Sequence, residues 1–239
     1  MRRRDFLVVG STAAALNIVP REPIFVIGES ERSYVQNTYK LTPPAGPIPV
    51  AFAISRAATM IDFAGPWEVF QDVMVRNQGE HRHPFNLYTV SDKTEPIEAS
   101  GGMKIVPDYA FETAPAPKVV VIPAQAGSPA LHAWLRKIVD STDVTMSVCT
   151  GAFQLGRAGL LSGKEATTHH DFFDQFARAF PDVKLKRGLR FVEGPKISTA
   201  GGLTSGIDLA LRVVERYFGR ETAEQTAFYM EYQGKGWIV

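Results

Sequence analysis

From residue 47 onward, short β-branched runs alternate with stretches of helical period, the pattern of a mostly parallel sheet covered by helices. Residues 49–54 and 85–90 are predicted as the first two strands, and 118–122 (Lys118-Val119-Val120-Val121-Ile122) as a strand buried on both faces. A first helix is predicted over 65–76, with Pro66 in its opening turn, and a second over 128–140. Residues 95–106 read as a looser hairpin region. The apolar run beginning at Val144 then breaks at Cys149-Thr150-Gly151 into a helical pattern reaching about residue 161. An amphipathic helix over 172–180, short strands over 189–192 and 196–199, and helices over 205–218 and 222–232 complete the chain. No internal repeat or low-complexity tract interrupts this order.

Composition narrows the picture. A chain of 239 residues, 45% apolar and 21% charged, fits one globular α/β domain with a sizeable core. The formal charge of +1 gives no electrostatic case for nucleic acid. One cysteine excludes an internal disulfide framework. Before the domain, Arg3-Arg4-Asp5-Phe6-Leu7 and the small, mildly apolar residues after it resemble a twin-arginine export signal, with a basic amphipathic helix as the competing reading. The apolar stretch is too short for an ordinary membrane anchor. Residues 1–46 are thus expected to be signal and linker, residues 47–239 the domain, and the location exported or periplasmic by a route that carries folded proteins.

In such a sheet the chemistry belongs at the carboxyl ends of the strands. Asp62, the Ala124-Gln125 turn, Cys149-Thr150-Gly151 and the Gly201-Gly202 loop should meet there. Cys149 sits where a strand turns sharply into a helix, a nucleophile elbow, and the free N–H groups of the helix's opening turn should favour its thiolate. The bland alternative is a small buried hydrophobe. Asp62 is an acid/base candidate or a helix cap. Thr150 offers a hydroxyl and an N–H, and Ala124 or Gln125 a second N–H, for an oxyanion pocket. Glu68 competes as the proton-sharing carboxylate. His169 and His170 are either a base for the sulfur or structural. Gly201 and Gly202 signal close backbone approach. His81-Arg82-His83 lacks an acidic ligand at metal spacing and reads as surface loop, so no metal site is expected. Trp67, Phe70, Phe172, Phe173 and Phe176 recur at helical spacing as core or dimer face.

Four segments carry a family resemblance: Ile61-Asp62-Phe63-Ala64-Gly65-Pro66-Trp67-Glu68-Val69-Phe70, Val148-Cys149-Thr150-Gly151-Ala152-Phe153, Ala166-Thr167-Thr168-His169, and the run from Thr199 to Leu211. Together they resemble the ThiJ/PfpI superfamily, with its class I glutamine amidotransferase-like fold, over about residues 49–228. The resemblance implies a flavodoxin-like three-layer α/β sandwich and a homodimer. Within the superfamily the pairing is most similar to isonitrile hydratase and the ligand domain of AraC-type regulators. That implies Cys149 as nucleophile, Asp62 as acid/base and Thr150 beside them, hydrating an isonitrile to an N-substituted formamide without metal or organic cofactor. Pro123-Ala124-Gln125 stands where the family usually has Pro-Gly-Gly, which should strain the turn or reshape the pocket. A redox protein with an oxidisable Cys149 and a ligand-binding module are the competing classes. The module is disfavoured because the sequence stops at Val239 with no room for a helix-turn-helix, and a peptidase ranks lower for want of an assured histidine.

Overall fold

The computed structural model describes residues 39–77 and 80–239, so the signal-like residues 1–38 lie outside it. Val119, Val120, Val121 and Ile122 are all fully buried, as a continuous apolar run at the centre of a sheet must be. In chain order the sheet comprises β1 (Ile48–Ala53), β2 (Phe85–Ser91), β3 (Tyr109–Ala110), β4 (Val119–Ile122), β5 (Val144–Ser147), β6 (Phe191–Val192) and β7 (Ile197–Ala200). Their spatial order is β6-β7-β5-β4-β1-β2-β3. Every neighbouring pair is parallel except β6 with β7.

Alternation along the strands builds a core on each face. Val50 and Phe52 of β1 pack with Phe70, Leu209 and Val213, while Ala51 and Ala53 pack with Leu131, Leu135, Leu155 and Phe176. One face is therefore covered by α1 (Met60–Asp72), α5 (Ser205–Phe218) and α6 (Arg220–Tyr229). The other carries α2 (Pro129–Ile138), α3 (Ala152–Arg157) and α4 (Phe173–Ala179). This is a flavodoxin-like three-layer α/β sandwich with a mostly parallel sheet.

The first helix corrects the sequence reading. It spans Met60–Asp72 rather than 65–76, and Pro66 lies in its interior. Proline was read as the opener, but Phe63 continues the buried face upstream of it, and burial outweighs the hydrogen bond that an interior proline forfeits. The earlier start puts Asp62 in the first helical turn, not in a loop, and the residue preceding the helix is Thr59, so Asp62 is not its N-cap. Residues 75–77 leave the helix to pair with 80–82 as an antiparallel ribbon. At the amino end the chain joins the domain before residue 47: Leu41 N–H donates to Arg216 O at 2.8 Å and Arg216 Nε donates to Tyr39 O at 2.7 Å.

Candidate active site

Cys149 follows β5 after the single residue Val148, in a short 3-10 turn that leads into α3. Its φ of 59° lies in the left-handed region that side chains other than glycine seldom enter, so the elbow holds backbone strain at the sulfur. The turn is fixed on both sides: Cys149 N–H donates to Gly201 O at 2.7 Å, and Cys149 O accepts from Thr168 Oγ1 at 2.9 Å. Gly151 is required by space, since a Cβ there would lie 2.1 Å from Ile122 O.

The buried Asp62 faces this turn from α1. Its Oδ2 accepts the Ala124 N–H at 3.0 Å, its buried Oδ1 has no hydrogen-bond partner among the described residues, and the Cys149 thiol and Leu203 N–H lie close enough to favour its charged form. Burial still outweighs these donors and pushes the Asp62 pKa up to about 6. Burial, and then the neighbouring Asp62 charge, push the Cys149 thiol up to about 11 against the pull of Thr150 N–H and hydroxyl and of Leu203 N–H. The expectation of a thiolate made by the helix's opening turn is therefore corrected. Cys149 is only 7% exposed and α3 is six residues long, too short a dipole to offset desolvation and an adjacent acid. Near neutrality these shifts favour a thiol at Cys149 beside a carboxyl at Asp62 that is close to its own midpoint.

The other candidates are sorted by the same geometry. Ala124 N–H is committed to Asp62 and is not free for an oxyanion. Gln125 donates from Nε2 to Ala53 O at 2.8 Å, while its carbonyl accepts from Gln154 Nε2 at 3.0 Å. Neither Ala124 nor Gln125 has positive φ, so the turn without the usual glycines follows ordinary backbone and the expected strain is absent. Gly202 lies tight against the His169 ring, where a Cβ would meet Cδ2 at 2.3 Å, whereas Gly201 has ordinary room and contributes its carbonyl. Glu68 is exposed and accepts from Gln71 Nε2 at 3.3 Å, outside the site. Burial and the stacked His170 ring hold His169 below the usual histidine range. The groups setting the sulfur's acidity are Asp62, Thr150 and Leu203, and neither histidine is among them. His169, His170 and Asp171 bring their ligand atoms within 4.8 Å of one another near the site, an arrangement the sequence reading did not single out. His83 bonds Gln71 O through Nδ1 at 2.9 Å, and the side chain of His81 lies outside the described residues.

Sequence reasoning named the segments holding Leu203 and Thr168 but gave neither residue a role. Leu203 acts through its backbone N–H, with φ of 52°, and a backbone donor leaves no mark in residue type. Fully buried Thr168 had a faint signal, a threonine pair before the histidines.

Fold and site together define a flavodoxin-like α/β protein with a cysteine on a tight strand-to-helix turn. Residues 49–216 match the DJ-1/PfpI family model, and the chain belongs to that family. The isonitrile hydratase of Pseudomonas putida is 29% identical over 189 residues, which cover 77% of this chain and 78% of that enzyme. The HTH-type transcriptional regulator CdhR of Pseudomonas aeruginosa is 33% identical over 153 residues, 62% of this chain and 45% of the regulator. The chain thus matches less than half the length of that regulator. A THiJ/PfpI family protein of Pseudomonas syringae superposes with a TM-score of 0.69 at 24% identity, covering 91% of this chain and 84% of that one. Drosophila melanogaster DJ-1beta superposes at 0.67 with 17% identity, covering 79% of this chain and all of that one.

Proposed function

We propose that the chain is a cysteine-dependent hydratase of small organic molecules, with isonitriles as the substrate class. One observation carries the reading: a fully buried carboxyl, its pKa pushed up to about 6 by desolvation, lies beside the thiol on the strained elbow. Such a group accepts and returns a proton near neutrality.

In the proposed cycle Asp62 takes the thiol proton as sulfur attacks the terminal isonitrile carbon. It then delivers that proton to the same carbon, giving an N-substituted thioimidate on Cys149. Water adds to this carbon, the C–S bond breaks, and the formamide leaves while the sulfur recovers its proton. The atoms balance as isonitrile plus water, and the cycle needs no metal or organic cofactor. Thr150 and the Leu203 N–H stand where they stabilise charge on sulfur. Similarity to the Pseudomonas putida enzyme supports the substrate class.

A panel of isonitriles, nitriles, amides and dicarbonyls, with formamide detected directly, tests the reading. Turnover by the wild type, lost in Cys149→Ala, is expected for isonitriles. Silence on the whole panel by folded protein, together with stoichiometric sulfinic acid at Cys149 after peroxide, replaces it with the redox reading. A second copy of the chain as partner, no nucleic-acid partner and twin-arginine export to the periplasm belong to the same proposal. Cell fractionation with and without the twin-arginine translocase checks the last.

A further inference from the structure

Behind the catalytic pair, the loop of residues 201–204 is gripped at both ends by one residue. Arg190 accepts the Gly201 N–H on its carbonyl oxygen at 2.8 Å and donates from its guanidinium to Thr204 Oγ1 at 3.3 Å. Leu203, between those points, is held at a φ that a leucine does not adopt unaided. The guanidinium is itself fixed by Asp208, fully buried one turn into α5, whose Oδ2 accepts from Nε at 2.6 Å and from the terminal nitrogen. Tyr232, beyond α6, donates its hydroxyl to Asp208 Oδ1 at 3.0 Å. Gly236 seats the following segment on the pair, where a Cβ would lie 2.7 Å from Asp208 Oδ2.

We propose that Arg190, Asp208 and Tyr232 are positioning residues for the catalytic centre, clamping the 201–204 loop so that Gly201 O stays on the Cys149 N–H. The same clamp holds the Leu203 backbone beside Asp62 and Cys149. A single guanidinium reaching Thr204 and Asp208 together is work for arginine's fork, and lysine's point charge cannot span both. Asp208 anchors the assembly from a fully buried position, while Arg190 is partly exposed and Thr204 exposed, so loosening the hydroxyl contacts at the rim frees the loop.

The inference rests on the hydratase reading for its catalytic consequence, but its test does not. Cys149 is the chain's single cysteine, so the rate of iodoacetamide alkylation reports the site with no substrate. Tyr232→Phe and Thr204→Val each remove one hydroxyl of the assembly. Folded protein of either kind is expected to show an alkylation rate changed at least about fivefold at pH 7, kcat lowered by a similar factor and KM nearly unchanged. Thr204→Ser, which keeps the hydroxyl, restores both. Asp208→Asn is informative only if it folds, which is why the milder variants carry the test. Wild-type alkylation and kcat in folded Tyr232→Phe and Thr204→Val overturn the proposal. Altered alkylation with no turnover of any substrate by the wild type supports the clamp and removes the hydratase reading.

Discussion

A carboxyl and a thiol, both pushed toward their neutral forms, dispute one proton at residues 62 and 149. Alkylation of Cys149 should therefore rise with pH through about 6, as Asp62 becomes a base, and again toward about 11 as the thiol ionises alone. Asp62→Asn should erase the lower inflection and slow alkylation at pH 7 at least about tenfold. A single inflection near the ordinary thiol value in the wild type would contradict the pairing. The same shift bears on stability. Asp62 is raised from 3.8 to about 6 in the folded state, so its stabilising contribution is complete below 3.8 and is lost as pH rises through about 6. Asp62→Asn is expected to gain up to about 3 kcal/mol over the wild type at pH 8 and little at pH 3.5, by urea denaturation. Equal differences at the two pH values would exclude this origin. That Cys149, Asp62 and Thr150 lie together was legible because side-chain chemistry and the strand-to-helix break are written in residue types. The direction of the thiol's shift was not legible, because it depends on desolvation, which appears only when the chain packs.

Elements were readable in proportion to how far one face decides them. The helix expected over 205–218 is found at Ser205–Phe218, since α5 combines a long apolar stripe with a stop at Gly219, whose φ is 88°. The last helix begins at Arg220, two residues earlier than expected, because that same glycine ends one helix and opens the next. The short pairing of 165–166 with 184–185 carried no readable period at all. Buried Arg212 and Arg216 on α5 were also invisible in advance. Arg212 is held by Glu215 one turn on and by Glu193, and Arg216 by the carbonyls of Tyr39 and Pro195; all but Glu215 are distant in sequence. The elbow depends on one close approach between elements. Gly151→Ala places a methyl 2.1 Å from Ile122 O and 2.9 Å from Pro123 O, both backbone atoms at the end of β4. A loss of about 2 kcal/mol in urea denaturation is expected. The displaced turn should also change Cys149 alkylation, and a variant of wild-type stability would mean that the turn is looser than drawn.

For the whole molecule, one sheet separates and couples the two cores. Trp67 and Trp237 belong to one face and Trp134 to the other. Tryptophan fluorescence and far-ultraviolet circular dichroism should accordingly give coincident urea transitions. Distinct midpoints would show that the layers unfold separately. If two copies associate as proposed, the common midpoint rises with protein concentration, and a midpoint independent of concentration argues for a monomer. Architecture at this scale was the most legible level, since β-branched runs and their helical spacers specify a covered parallel sheet with little regard to detail. Tyr39 and Leu41 engage Arg216, eleven positions past the start of α5, or about 16 Å along its axis from the end that bears the 201–204 loop. A fluorophore attached at Tyr39 itself would consequently stand at the pole opposite the sulfur and leave reagents their approach to it.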